Sequence, residues 1–248
     1  MGVYDYPHYY EIAISWQNFK KQVDFFEEVI KKYSKIPVKC VLDIACGTSP
    51  HLREFARRGY KAIGLDINPK MLMYLKSKAY EEGVDVEVIQ ADMNNFKLKT
   101  KCDLALLLSG SIFVNSNKQF LKHLDCVADA LNSGGIYLLE NFPLELYEYH
   151  RDSYTEKKNG IEVTSIFESR VINKLEQLYE ETHTLLVNDH GKKLTFSSTF
   201  IDKLMAPQEF RLLIDINGKF EFIGWFEHFE LKPLKVPKAN NIIILRRK

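Results

Sequence analysis

Val41-Leu42-Asp43-Ile44-Ala45-Cys46-Gly47-Thr48-Ser49-Pro50 is the stretch on which the fold turns. The run from Cys40 to Ala45 is short, mostly apolar and β-branched at Val41 and Ile44, which suits a strand buried on both faces. Ala45, Gly47 and Ser49 carry little or no side chain, so a ligand can approach the backbone of the following turn. Pro50 fits the first turn of a helix, where its missing N–H costs nothing. The free N–H groups of that first turn can face a polar ligand. The order acid, small, glycine, small differs from the G-x-G-x-x-G turn of dinucleotide-binding proteins. Here Asp43 sits inside the motif, and Ala45 and Ser49 stand where that turn has glycine.

Working outward, Pro50 to Arg58 reads as a helix closed by Gly59, and Lys61 to Asp66 as a second strand. Asp66 ends that strand about 20 positions beyond the turn, where a carboxylate accepts hydrogen bonds from ribose hydroxyls. Asn68-Pro69 can start the next helix, to Glu82, which leaves Asp66 free of capping duty. Val84 to Gln90 alternates as a third strand and runs into Ala91-Asp92-Met93. Asp103 to Leu108 is a fourth strand, followed by Ser109-Gly110-Ser111-Ile112-Phe113. Lys118 to Leu131 is helical, Asn132 to Gly135 a turn, and Ile136 to Phe142 a fifth strand ending in Glu140 and Asn141. Strands alternating with helices predict an open, doubly wound α/β sheet, with ligands beyond the carboxyl ends of its strands.

Composition agrees with a soluble globular protein: 46% of residues are hydrophobic and 27% charged. The formal net charge of +1 offers no electrostatic footprint for nucleic acid or anionic membrane. Cys40, Cys46, Cys102 and Cys126 show neither metal-ligand nor redox spacing and read as small buried hydrophobes in a reducing compartment. The seven histidines do not pair at metal-ligand spacing either. The polar, tyrosine-rich start is unlike a signal peptide, and no apolar run approaches the ~20 residues that cross a bilayer. A cytoplasmic protein without a metal is expected.

Tyr4, Tyr6, Tyr9 and Tyr10 crowd the N-terminus, and apolar residues recur at helical spacing from Glu11 to Tyr33. Residues 1–37 thus form a helical lead-in. From about 143 to 206 the period changes to two: Leu194, Phe196, Ser198 and Phe200 share one face, and Asn188-Asp189-His190-Gly191 marks a turn. That segment is expected to insert a small antiparallel sheet over the open end of the site. Its candidates to line an acceptor pocket are Tyr147, Tyr149, His150, Tyr154, His183 and His190. Pro207 to Ile216 is a helix, and Phe220 to Leu231 and Asn241 to Arg246 are strands. The whole, 1–248, reads as a single domain.

Asp43-x-Ala45-Cys46-Gly47-Thr48, the Asp66 strand end, Asp92 and the Leu131-to-Gly135 turn follow in an order that resembles the class I S-adenosylmethionine-dependent methyltransferases. The likeness is to the small-molecule, glycine N-methyltransferase-like branch, and spans about residues 9–142 and 207–247. It implies a seven-stranded, mostly parallel sheet whose last strand is antiparallel. It implies S-adenosylmethionine as cofactor, with S-adenosylhomocysteine as product and a small-molecule methyl acceptor. The cofactor-binding residues implied are Tyr10, Asp43, Ala45, Cys46, Gly47, Ser49, Asp66, Ile67, Met71, Asp92, Met93 and Ser109. In that family an acid at the position of Asp92 meets the adenine amino group, and the next backbone N–H meets a ring nitrogen. Tyr9-Tyr10-Glu11 and Trp16 look like the aromatic lead-in that closes over the cofactor, and a tyrosine face attracts its sulfonium cation. Met71 either touches the adenine or fills the core; Lys20 and Lys21 either meet the methionyl carboxylate or line a solvated face. No Asn/Asp-Pro-Pro-aromatic signature follows the fourth strand, which argues against nucleobase amines as acceptors. An RNA or protein methyltransferase, and a non-catalytic S-adenosylmethionine-binding module, are the alternatives; a nicotinamide-dependent oxidoreductase is disfavoured by the place of Asp43. The acceptor, its reacting atom, any general base and the oligomeric state are not readable from sequence.

Overall fold

The computed structural model describes residues 2–144 and 148–248. In chain order the helices are α1 Pro7–Ala13, α2 Phe19–Tyr33, α3 Pro50–Arg57, α4 Pro69–Glu81, α5 Asn117–Ala130 and α6 Pro207–Asn217, preceded by a 3-10 turn at Val3–Asp5. The strands are β1 Cys40–Ile44, β2 Lys61–Asp66, β3 Glu87–Gln90, β4 Cys102–Leu107, β5 Leu131–Glu140, β6 Tyr149–Lys158, β7 Ile161–Asn173, β8 Leu178–Asp189, β9 Lys192–Lys203, β10 Phe220–Glu227 and β11 Asn241–Arg247.

Seven strands form the main sheet in the order β10-β11-β5-β4-β1-β2-β3. All neighbours pair in parallel except β11, which runs antiparallel to both β5 and β10. β1 lies inside the sheet, between β4 and β2, and is wholly buried. Its side chains alternate between two cores: Leu42 and Ile44 join Phe120, Leu124 and Phe210 from α5 and α6, and Val41 joins Phe26, Phe55 and Leu72 from α2, α3 and α4. Apart from Asp43 the strand is apolar, and this period-two division is what a doubly wound sheet requires. Chain order reverses between β1 and β4, so their carboxyl ends open the crevice where such sheets take ligands.

The second sheet is antiparallel, in the order β6-β7-β8-β9. One face packs on the N-terminal lead-in. Val163, Leu185, Val187 and Phe196 from the sheet bury Val3, Tyr9, Ile12 and Ala13. The Phe196 ring stacks on Tyr6 at 3.8 Å between centroids, and the Tyr9 hydroxyl donates to Asp189 at 2.7 Å. The lead-in also reaches the main sheet's helices: Asn68 Nδ2 donates to the Tyr4 carbonyl at 2.9 Å, and Arg53 pairs with Glu11 at 3.0 Å. It therefore bridges the two sheets.

Several boundaries differ from the sequence reading for local reasons. The helix expected from Glu11 to Tyr33 is two helices, because Pro7 starts α1 early and the Asn18 side chain caps a fresh start by accepting from Lys21 N at 3.0 Å. β5 begins at Leu131, running through the segment expected to be a turn, with Gly134 at φ +88° absorbing the irregularity. β3 begins at Glu87 rather than Val84. β10 ends at Glu227, and its alternation slips between Phe222 and Gly224. Lys20 and Lys21 lie on the exposed side of α2 and line neither of the two cavities at the strand ends. Cys40 and Cys102, far apart in sequence, meet in the core with their sulfurs 2.6 Å apart, whereas Cys126 is only half-buried. Among the described residues no helix is long and apolar enough to cross a membrane, and no cluster of three His, Cys, Asp or Glu side chains could hold a metal ion.

Phe196→Ala removes the ring that joins lead-in and inserted sheet, and is expected to cost about 3–5 kcal/mol. Urea unfolding measures the loss. Amide exchange should accelerate at residues 3–13 while α5 stays protected; uniform acceleration would contradict a separate bridging role.

Candidate functional site

The turn after β1 is built from alternating left-handed residues. Ala45 has φ 54°, Gly47 φ 54° and Ser49 φ 30°. Each left-handed alanine or serine costs roughly 1–2 kcal/mol that glycine would not. Two carboxylates hold the turn in that shape. Asp66, at the tip of β2, accepts from the Gly47 N–H at 2.8 Å and from the Asn68 N–H at 2.8 Å. Asp43 accepts from the Ser49 hydroxyl at 2.5 Å, and the same hydroxyl accepts from Leu52 N at 3.2 Å, capping α3. Ser49 thus has a task glycine lacks. Asn68, not Asp66, caps α4, accepting from Lys70 N at 2.9 Å.

Neither Asp43 nor Asp66 meets a lysine or arginine among the described residues. Burial pushes the Asp43 carboxyl up to about 7, with the Ser49 hydrogen bond opposing and the nearby Asp66 and Glu140 charges adding to the rise. Asp66 is raised too, by burial, against the backbone N–H groups that favour its charge. Glu140, at the tip of β5, is 5% exposed, accepts the Ser109 N–H at 2.9 Å and meets His228 Nε2 at 2.7 Å. His51, below the turn, donates Nε2–H to Gln22 Oε1 at 2.6 Å, and burial lowers it to about 4, so it is neutral at pH 7. The field at the strand ends is therefore negative and short of counter-charge.

Two cavities open on this turn and share the walls Tyr10, Ala45 and Ser111. The larger is a cleft of about 610 Å³ running past Gly47, Asp66, Ile67, Met71, Asp92 and Met93. The smaller, about 30 Å³, continues past Asp43, Cys46, Ser49 and Ser109 to Thr48 and His51. All twelve residues expected at the cofactor site therefore border one or other of these two adjoining cavities. They differ in what they present to it. The Cys46 thiol packs into the core, where a Cβ on Gly64 would come within 2.9 Å of it, so its backbone faces the cavity. Met71 is 1% exposed. The Ser109 N–H is already taken by Glu140. Asp92 accepts from Asn94 N at 2.8 Å yet stays exposed to the cleft. The Met93 carbonyl is met by His123 Nδ1 at 3.1 Å, and His123 Nε2 accepts from the Tyr137 hydroxyl at 2.7 Å, which fixes the Asp92-Met93 loop from the core.

Ser109 to Phe113, expected from the sequence to border the methyl group, supplies Ser109, Ser111 and Phe113 to the cavity walls, whereas the sequence reading did not place Tyr4, Thr48 and Phe200 there. Phe200 lay within the alternating run of β9 and Tyr4 in the tyrosine cluster, so both carried a signal. Thr48 Oγ1 is buried with no hydrogen-bond partner. Of the pocket candidates in the inserted sheet, Tyr154 and His183 face inward by strand alternation. Tyr149 is 61% exposed on the other side, and His190 lies at the β8–β9 hairpin turn. Tyr147 lies outside the described residues.

The geometry defines a cleft with an uncompensated negative floor at the carboxyl ends of the parallel strands. Residues 41–135 match the family described as a methyltransferase domain. It is similar to the Streptomyces venezuelae dTDP-3-amino-3,4,6-trideoxy-α-D-glucopyranose N,N-dimethyltransferase, with 26% identity over 101 residues, 40% of this chain and 41% of that one. The chain spans about half the length of the curated relatives it matches. A solved S-adenosylmethionine-dependent methyltransferase from Clostridium acetobutylicum aligns over 97% of this chain and 96% of its own, with TM-score 0.80 and 16% identity. The S-adenosylmethionine-bound amino pentose methyltransferase CalS10 of Micromonospora echinaspora aligns over 94% and 92%, with TM-score 0.72 and 18% identity. At these identities the solved structures establish the fold.

Ala45→Gly should raise thermal stability by about 1 kcal/mol, the left-handed cost less the entropy of glycine. Ser49→Gly should bring no gain, because the bonds to Asp43 and Leu52 go with it; equal gains in melting temperature would contradict the role given to Ser49. Asp43 is raised in the folded protein from an ordinary 3.8 to about 7, so its contribution to stability is present below about pH 4 and lost as pH rises to about 7. Asp43→Asn should therefore stabilise the ligand-free protein more at pH 8 than at pH 4, read as the difference between the two proteins' urea midpoints.

Proposed function

We propose that the chain is an S-adenosylmethionine-dependent methyltransferase acting on a small molecule. The observation that carries this is the set of carboxylates, Asp43, Asp66 and Asp92, delivered by the ends of three neighbouring strands to two adjoining cavities, with no lysine or arginine among the described residues to neutralise the buried pair. The unpartnered Thr48 hydroxyl and the negative field fit a ligand that carries positive charge and polar atoms.

In this reading Asp66 accepts the ribose hydroxyls, since its two oxygens have lone pairs left after Gly47 and Asn68 are served. Asp92 accepts the adenine amino group, and the Met93 N–H donates to a ring nitrogen. Asp43 and Thr48 face the amino-acid tail. Ala45, Gly47 and Ser49 expose backbone, and Tyr10, packed 5.5 Å from Tyr4 between ring centroids, closes the site from the lead-in. When bound, S-adenosylmethionine supplies a methyl group already activated by sulfonium charge for in-line displacement. The chain's own contribution is to align the acceptor and exclude water, which contributes about 7–11 kcal/mol where alignment is good. A proton acceptor is required only for an acceptor that arrives protonated.

The inserted sheet and the lead-in roof the cleft, which favours a small acceptor over RNA or a folded protein. The amino-sugar methyltransferases among the similar proteins support the same choice.

The test is a titration with S-adenosylhomocysteine, followed by turnover of S-adenosylmethionine against a library of small metabolites. Asp66→Ala should weaken nucleoside binding about 10- to 100-fold, as loss of hydrogen bonds to a charged group implies. No binding by the unaltered chain would overturn the reading; binding without turnover would leave the non-catalytic module.

A further inference from the structure

A second group of acids lies apart from the turn, on the inner face of the inserted sheet. β8 and β9 pair Tyr179 with Asp202, Glu181 with Phe200, His183 with Ser198 and Leu185 with Phe196 without a slip in register. Period two then puts Glu181 and Asp202 on the same face as Leu185 and Phe196, which the lead-in covers. At the acids' end of the face Tyr4 of the lead-in packs on Phe200 at 5.9 Å between ring centroids, and Tyr4, Thr199 and Phe200 line the cleft in front of them. The Lys203 N–H donates to the Val114 carbonyl at 2.7 Å, tying this end of β9 to the loop after β4.

Asp202 is only 4% exposed, and neither its carboxylate nor that of Glu181 has a hydrogen bond or ion pair among the described residues. Lys203 follows Asp202 but points to the other face, bonded to Gln177 and paired with Glu209. Burying two acids side by side without donors is costly unless something cationic joins them. Burial and the Glu181 charge push Asp202 up to about 8, and burial raises Glu181 against the opposing effect of His150.

These acids are separate from those of the turn. Asp202 responds to Glu181, whereas Asp43 responds to Asp66 and Glu140. Tyr4 stands between, within electrostatic reach of Asp66 on one side and of Glu181 and Asp202 on the other.

A second, independent feature points to a ligand. His183 is 3% exposed, and its Nδ1 has no hydrogen-bond partner. Its Nε2 is 3.5 Å from the Ser165 hydroxyl, toward the apolar end of the face, which turns Nδ1 toward Glu181 and Phe200. The ring is held by stacking on Phe167 at 4.1 Å and by the edge of Tyr4 at 6.3 Å. Its burial keeps it neutral at pH 7, so Nδ1 is free to exchange a hydrogen bond with a hydroxyl or amine.

We propose that Glu181 and Asp202 form an acceptor subsite that seats an organic ammonium group at the end of the cleft remote from Asp43, with His183 Nδ1 meeting a neighbouring polar atom of the same molecule. The aromatic walls Tyr4, Tyr179 and Phe200 add attraction for a cation. The subsite deepens the methyltransferase reading and rests on it for the identity of the ligand as acceptor.

The test uses the full chain, with and without saturating S-adenosylhomocysteine, and compares cyclohexylamine with cyclohexanol by NMR titration. The amine should bind at least tenfold more tightly than the alcohol. Asp202→Asn and Glu181→Gln, which remove charge while keeping shape, should each reduce that preference severalfold, and the double variant should abolish it. S-adenosylhomocysteine affinity should stay within twofold of the unaltered chain, which also reports that the variants fold. Equal binding of amine and alcohol by the unaltered chain would overturn the subsite, as would a preference that survives in the double variant. Failure to bind S-adenosylhomocysteine would instead count against the methyltransferase reading, while the amine-to-alcohol ratio still judges the subsite.

Discussion

Two buried carboxylates brace the turn after β1 from opposite ends, and both lack a basic partner among the described residues. Asp66 holds the Gly47 N–H and Asp43 the Ser49 hydroxyl, each across a backbone bent into the left-handed region. The hydrogen bonds fix the turn and leave both carboxylates bordering the cavities. Burial raises both acids above their ordinary range, which is the sign of charge held at a cost. A structural ion pair would have placed an arginine beside them. The chain has arginines nearby, but Arg53, Arg57 and Arg58 are engaged with Glu11, Glu82, Glu54, Asp24 and Glu27 on the outside of α3.

The rest of the architecture serves that negative floor. The parallel strands end together on one side of the sheet, so acids from β1, β2 and the end of β3 converge. The inserted sheet reaches the cleft through Ser198, Thr199 and Phe200 of β9. It packs on the lead-in, whose buried face joins Phe196, Leu185 and Val163 and whose polar contacts reach Asn68 and Arg53. The N-terminal segment is thus part of the site's wall, and Tyr4 and Tyr10 mark where the two halves meet.

The strand–turn–helix at Cys40 to Arg57 was legible because buried strands, small turn residues and a helix-initiating proline are local signals. Asp66 and Asp92 were legible because each ends a strand whose direction the α/β alternation had set. The period-two run at Leu194 to Phe200 revealed a sheet but not its partners, since register depends on contacts distant in sequence. Hence Phe200 was placed on a face without being placed on the cleft, and Glu181 and Asp202 were invisible as a pair until β8 met β9. The start of β5 was misread because glycines that usually end an element here sit inside a strand. The break between α1 and α2 was missed because helical spacing continued through it, while the Asn18 cap decided the outcome.

The most direct measurement of the central claim is a crystal structure with S-adenosylhomocysteine. The account predicts a single nucleoside whose ribose meets Asp66, whose adenine lies at Asp92 and Met93, and whose amino-acid tail reaches Asp43 and Thr48. A ligand seated elsewhere, or one that leaves any of the three carboxylates without contact, direct or through one water, would contradict it.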